Sequence, residues 1–148
     1  MNKSKIKSNA KSTIPVWIWA AAAVILIAVV AMLALQNVPS AQATLPAEIS
    51  VDQAAEMRSQ GAFILDVRQP EEWNELHITD ATLIPLGELP NRLNEIPKDR
   101  EVVVVCRSGN RSQQGRDILR SAGYEQSTSM AGGMRDWQTK GLPVVSGP

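Results

Sequence analysis

Glu101-Val102-Val103-Val104-Val105 is the segment that most constrains the fold. Four consecutive β-branched residues are stiff in a helix and pack well on a pleated sheet. A strand that is apolar at every position is buried on both faces, as happens where helices cross over between parallel strands. The run therefore predicts the central strand of an α/β domain with a mostly parallel sheet flanked by helices. The rest of the chain alternates in the way such a fold requires. Ser50-Val51-Asp52-Gln53 has the pattern of a capping box and opens a short helix through Ala54, Ala55 and Met57 to about Gln60, where Gly61 stops it. Residues 62–67 read as a strand, Pro70-Glu71-Glu72 as the start of a helix, and residues 81–86 as a short strand. Leu89, Leu93 and Ile96 share one face of a short helix over 89–96. Ser112 to Ala122 reads as a helix ended by Gly123, Gln126 to Met130 as a weaker strand, and Met134 to Lys140 as a last helix ended by Gly141.

The central run ends at Cys106, the only cysteine in the chain, and Arg107-Ser108-Gly109-Asn110-Arg111-Ser112 follows it. In open α/β sheets ligands bind beyond the carboxyl ends of the strands, which is where Cys106 stands. A lone cysteine is usually a small buried hydrophobe. A loop with two arginines that leads into a helix N-terminus instead suits an anion held against a sulfur nucleophile. Arg107 and Arg111 are expected to fork onto an oxyanion. Gly109 lets the backbone curl so that several N–H groups converge, with Ser108, Asn110 and Ser112 supplying backbone donors. Ser112 is also placed to cap the following helix. With one cysteine no intrachain disulfide forms, and an unpaired thiol points to reactivity or intermolecular pairing.

The other polar residues read as support. Asp66 and Arg68 form a structural ion pair beneath the loop. His77, the only histidine, lies between Leu76 and Ile78 and makes a structural hydrogen bond. Trp73 and Trp137 pack at the core or rim, and Gly132-Gly133 forms a tight turn. One cysteine and one distant histidine do not make a zinc site. No Gly-x-x-x-x-Gly-Lys stretch is present to cradle phosphates, and no cofactor is expected.

Four stretches together resemble the rhodanese-like domain, a single-domain sulfurtransferase family. They are Phe63-Ile64-Leu65-Asp66-Val67-Arg68 with Pro70-Glu71-Glu72-Trp73, then His77-Ile78 with Ile84-Pro85-Leu86, then the Cys106 loop, and last Ala131-Gly132-Gly133-Met134-Arg135-Asp136-Trp137 with Gly141-Leu142-Pro143-Val144. The likeness runs from about Glu48 to the C-terminus. It implies that Cys106 takes a sulfane sulfur from a small donor such as thiosulfate as a persulfide. A thiol or protein acceptor, or cyanide in the standard assay, then removes that sulfur. A non-enzymatic sulfur-carrier or partner-binding module is the alternative. The related cysteine-dependent phosphatases enclose five residues between Cys and Arg, whereas Cys106 and Arg111 enclose four, and no carboxylate in the loop serves as general acid. Two positions depart from the family pattern. Leu76 stands where Gly is usual before the His, and Thr79-Asp80 stands where Pro-Gly is usual, which places the turn geometry around His77 under test.

The N-terminus has a different composition. Residues 1–13 hold Lys3, Lys5, Lys7 and Lys11 without an acid. The other 135 residues hold 11 basic and 15 acidic side chains, a balance that gives nucleic-acid binding no support. Ile14 to Leu35 has no charged residue, and as a helix it would span about 33 Å against a hydrocarbon core of about 30 Å. Trp17 and Trp19 suit the membrane interface at its start. The positive-inside rule then expects a cytoplasmic basic tail (1–13), a transmembrane helix (14–35), a linker (36–47) and an extracytoplasmic domain (48–148). Ala41-Gln42-Ala43 has the small-x-small pattern of a processing site, so the competing expectation is cleavage near Ala43 and a secreted or periplasmic domain.

Overall fold

The computed structural model describes Met32 and residues 44–148. The expected basic tail, the membrane span apart from Met32, and residues 36–43 of the linker lie outside the described residues. Among the described residues, no helix is long and apolar enough to cross a membrane.

The strands of the main sheet are β1 (Glu48–Ile49), β2 (Phe63–Asp66), β4 (Thr82–Leu83), β5 (Val102–Val105) and β6 (Ser127–Met130). Their order is β1-β6-β5-β2-β4, and every pairing is parallel. The helices are α1 (Val51–Ser59), α2 (Pro70–Glu75), α3 (Asn110–Ser121) and α4 (Gly133–Thr139). A separate antiparallel pair joins β3 (His77–Ile78) to β7 (Val144–Val145).

Alternation along β5 divides the core. Val103 and Val105 pack with Ile64, Met130, Met134 and Trp137, while Val102 and Val104 pack with Leu65, Val67 and Leu119. All four valines are at most 1% exposed, so the run is buried on both faces as its composition requires. Helix α3 reaches the sheet closely because Gly115 has no side chain. A Cβ there would lie 3.0 Å from Val104 Cγ1 and 3.3 Å from Val67 Cγ1. This contact positions the helix that follows the Cys106 loop.

Several local expectations are corrected. Residues 89–96 form two 3-10 turns, Leu89–Asn91 and Leu93–Glu95, closed by the i→i+3 bonds of Arg92 N to the Leu89 carbonyl and Ile96 N to the Leu93 carbonyl. The apolar face survives, with Leu89 and Ile96 buried. The strand expected over 81–86 shrinks to Thr82–Leu83. Residues 44–47 of the expected linker are fastened to α3, with Arg120 Nη2 donating to the carbonyls of Leu45 (2.7 Å) and Pro46 (3.2 Å), and Arg116 Nη1 to that of Ala47 (2.9 Å). The unusual turn after β3 also resolves. Asp80 takes φ 65°, the one positive φ outside glycine among the described residues, while Leu76 is extended at φ −171°. Asp tolerates the left-handed region better than most residues, and Leu76 has no need of it.

Candidate active site

The parallel register sets Asp66 opposite Val105, so the chain leaves β2 and β5 side by side at their carboxyl ends. Arg68 and Cys106 emerge there as neighbours in the fold. Asp66 and Arg68, 1% and 4% exposed, form a buried pair with Arg68 Nη2 2.7 Å from Asp66 Oδ2 and Arg68 Nε 2.9 Å from the same oxygen. The remaining donors of Arg68 reach the carbonyls of Glu72 (3.0 Å) and Leu76 (2.8 Å). One guanidinium thus ties the end of β2 to α2 and to the start of β3. This is the structural support expected of the pair.

Cys106 is buried, and the Gly109 N–H donates to its sulfur at 3.1 Å. Gly109 holds φ 106°, a conformation open to glycine and costly for other residues. Helix α3 begins at Asn110, two residues before the expected start, so Gly109 rather than Ser112 occupies the cap position. Ser112 lies inside the first turn. Its hydroxyl donates to the Gly109 carbonyl at 2.6 Å and lies 3.6 Å from the Cys106 sulfur, as acceptor of the thiol proton. The N–H groups of Asn110, Arg111 and Ser112 precede the first intrahelical bond, which Gln113 N makes to the Gly109 carbonyl. Those of Arg107 and Ser108 donate to no other group among the described residues. The loop therefore offers a set of uncommitted backbone donors, and the Gly109 N–H already lies on the Cys106 sulfur.

Two carbonyls at the start of the loop are held by α4. Met134 N donates to the Cys106 carbonyl at 2.8 Å and Arg135 N to that of Arg107 at 3.1 Å. The approach depends on Gly133, with φ 60°. A Cβ there would overlap the Cys106 carbonyl oxygen and sit 2.7 Å from Ser108 N. Gly132-Gly133 is more than the expected tight turn, because it lets one helix end dock on the loop backbone.

The two loop arginines separate. Arg107 is exposed and has no side-chain partner among the described residues. Arg111, expected to hold a substrate oxyanion, already holds Glu72, with Nη1 to Oε2 and Nη2 to Oε1 both at 2.7 Å. The hydrogen bonds from Arg111, opposed by burial and helped by the Gln69 N–H, lower the Glu72 carboxyl to about 2. The same carboxylate raises Arg111 above the usual arginine range. Arg111 thus forms a clasp between the loop and α2. Glu72 is the residue the sequence reading missed. It registered only as a favourable acid in the first turn of α2.

His77 makes the expected structural hydrogen bond, between Nδ1 and the Trp73 carbonyl at 3.1 Å, and its ring stacks on that of Trp73 with centroids 3.5 Å apart. Trp137 is buried, and its Nε1 donates to the Pro143 carbonyl at 3.1 Å. Both tryptophans serve packing, as read from the sequence. Beside the loop an open groove of about 310 Å³ runs between α2 and α4 and is lined in part by Arg107, Glu75 and Arg135.

This fold and loop define a class, and comparison with known proteins gives it a name. The family model of the rhodanese-like domain matches residues 50–140, and the chain belongs to that family. It is 40% identical over 88 residues to a sulfurtransferase of Allochromatium vinosum, covering 60% of this chain and 82% of that protein. It is 34% identical over 91 residues to the thiosulfate sulfurtransferase GlpE of Pseudomonas syringae pv. syringae, covering 62% and 86% respectively. Among solved structures, a rhodanese-related protein from Thermoplasma volcanium superposes with a TM-score of 0.63 at 29% identity, covering 68% of this chain and 98% of that one.

Proposed function

We propose that the chain is a sulfurtransferase that carries sulfane sulfur as a persulfide on Cys106, with thiosulfate or a related species as donor. The observation that carries this reading is the Gly109 N–H on the Cys106 sulfur at 3.1 Å, within a loop of uncommitted backbone donors. Relatives named as sulfurtransferases support it. The Cys106 thiolate attacks the outer sulfur of the donor, and the donor S–S bond breaks with its electron pair leaving on sulfite. The product is a Cys106 persulfide whose terminal charge the amides of residues 107–112 stabilise. Arg107, unpaired and exposed, receives the donor's oxyanion. Arg111 acts through Glu72 by fixing the loop. An acceptor nucleophile then takes the terminal sulfur and returns Cys106 to the thiolate.

Multiple-turnover transfer from thiosulfate to cyanide tests the reading. The wild-type chain turns over repeatedly and Cys106→Ser does not. A Ser variant with near wild-type turnover overturns the mechanism, while a single stoichiometric transfer identifies a carrier.

The place of work is part of the same proposal. Residues 14–35 hold the protein in a membrane with its N-terminus cytoplasmic and the domain outside, on the strength of the uncharged span and the four lysines before it. Full-length protein then resists alkaline carbonate extraction and exposes the domain to external protease. A soluble mature form beginning at Thr44 identifies a cleaved signal instead.

A further inference from the structure

The groove beside the loop carries more charge than transfer from a small inorganic donor needs. Two of its charged lining residues are committed elsewhere, Arg68 to Asp66 and Glu72 to Arg111. Three are not. Arg107, Arg135 and Glu75 are all exposed and have no side-chain partner among the described residues. Arg107 belongs to both the loop and the groove. Arg135 is held beside it by its own backbone N–H on the Arg107 carbonyl at 3.1 Å. Glu75 lies at the end of α2, the helix that forms the other wall. Two free cations and one free carboxylate therefore line one open groove next to the nucleophile. Its volume of about 310 Å³ is at the low end of sites for organic ligands and exceeds what a four-oxygen anion fills.

We propose that this groove binds the acceptor, a small peptide-like thiol bearing two carboxylates and one ammonium. Arg135 and Arg107 receive the carboxylates, and Glu75 receives the ammonium. The inference rests on the sulfurtransferase reading above. The thiolate of the bound acceptor attacks the terminal sulfur of the Cys106 persulfide. The new S–S bond forms on the acceptor, the Cys106 S–S bond breaks, and its electron pair stays on Cys106 as thiolate. The acceptor leaves as a persulfide, with no net oxidation. Arg135 is a specificity-determining residue in this scheme, and charge complementarity selects the acceptor.

The test uses the full chain, loaded with thiosulfate and freed of excess donor. Loss of the persulfide is followed with glutathione, N-acetylcysteine, cysteamine and 2-mercaptoethanol, each rate constant taken relative to 2-mercaptoethanol. Arg135→Ala lowers the relative rates of the two carboxylate-bearing thiols about tenfold and leaves that of cysteamine in place. Glu75→Gln lowers those of the two ammonium-bearing thiols, glutathione and cysteamine, and leaves that of N-acetylcysteine. Arg135→Lys restores part of the preference. If both variants keep the wild-type ratios, or if all four thiols slow together, the acceptor site is wrong while the loading step stands. A chain that never loads sulfur on Cys106 overturns the sulfurtransferase reading and this inference with it.

Discussion

Two arginine–carboxylate pairs stand behind the Cys106 loop, alike in chemistry and opposite in setting. Arg68–Asp66 lies under the site with side chains 4% and 1% exposed, and Arg111–Glu72 lies at its rim with side chains 30% and 24% exposed. The inner pair is knitted to two backbone carbonyls as well, so the end of β2, helix α2 and the start of β3 move together. The rim pair joins side chains from two elements and leaves water access. Of Asp66, Arg68, Arg107 and Arg111, the charged residues that the sequence places near the nucleophile, all but Arg107 are held within these pairs before any substrate arrives. Charge here builds the scaffold, and the backbone contact to the Cys106 sulfur is the Gly109 N–H at 3.1 Å.

The contrast is broken most severely at the inner pair. Arg68→Ala strands the Asp66 carboxylate in the core and orphans the Glu72 and Leu76 carbonyls, at a cost of about 3–5 kcal/mol. Urea unfolding at neutral pH reads this as a lower midpoint with an unchanged slope. A loss below about 1 kcal/mol would mean the pair behaves as a surface bridge.

Gly133→Ala ranks next. It combines a positive φ with overlap at the Cys106 carbonyl, and strain of this kind costs about 1–3 kcal/mol. It also pushes the loop away from α4, so the rate of sulfur loading falls by more than the stability loss explains. Equal loading rates in the folded variant and wild type would separate α4 docking from catalysis.

The rim pair is worth less. Glu72→Gln destabilises by about 1–2 kcal/mol at pH 7, between the ranges for exposed and buried pairs. Because the folded-state carboxyl lies at about 2 against 4.5 ordinarily, the stabilisation is complete above about pH 4.5. It fades as pH falls from there toward 2, where Glu72 is protonated in both states. Wild type and variant should thus converge in unfolding midpoint on acidification, and a gap that is constant from pH 7 to 3 would remove the charge from the explanation. The smallest effect belongs to the solvent-exposed bridges of Arg92 with Glu88 and Glu95, where Arg92→Ala leaves the urea midpoint close to that of the wild type.

What could be read in the sequence follows the range of the interactions. Val102–Val105 and the Ser50–Gln53 capping box depend on neighbours in the chain, and both form as expected. The two-residue strands β1, β3 and β7 are too short to show a period. Strand β6 is polar yet fully buried; Ser127 donates to the Tyr124 carbonyl and Ser129 to that of Ala47, while Thr128 Oγ1 has no partner among the described residues. Cys106 and its loop announced themselves by composition. The Arg111–Glu72 clasp did not, since its partners are 39 positions apart and meet only once α2 packs beside the loop. The docking role of Gly133 was hidden for the same reason.

The central claim is that backbone amides around Cys106 hold a transferable sulfur there. Mass spectrometry of the full chain after incubation with thiosulfate tests it most directly, with sulfite measured alongside. The account predicts one added sulfur atom on the peptide containing Cys106, matched by one equivalent of sulfite, removed by cyanide and absent from Cys106→Ser. An unmodified Cys106 peptide with no sulfite released, or a sulfur that persists in the Ser variant, would contradict it.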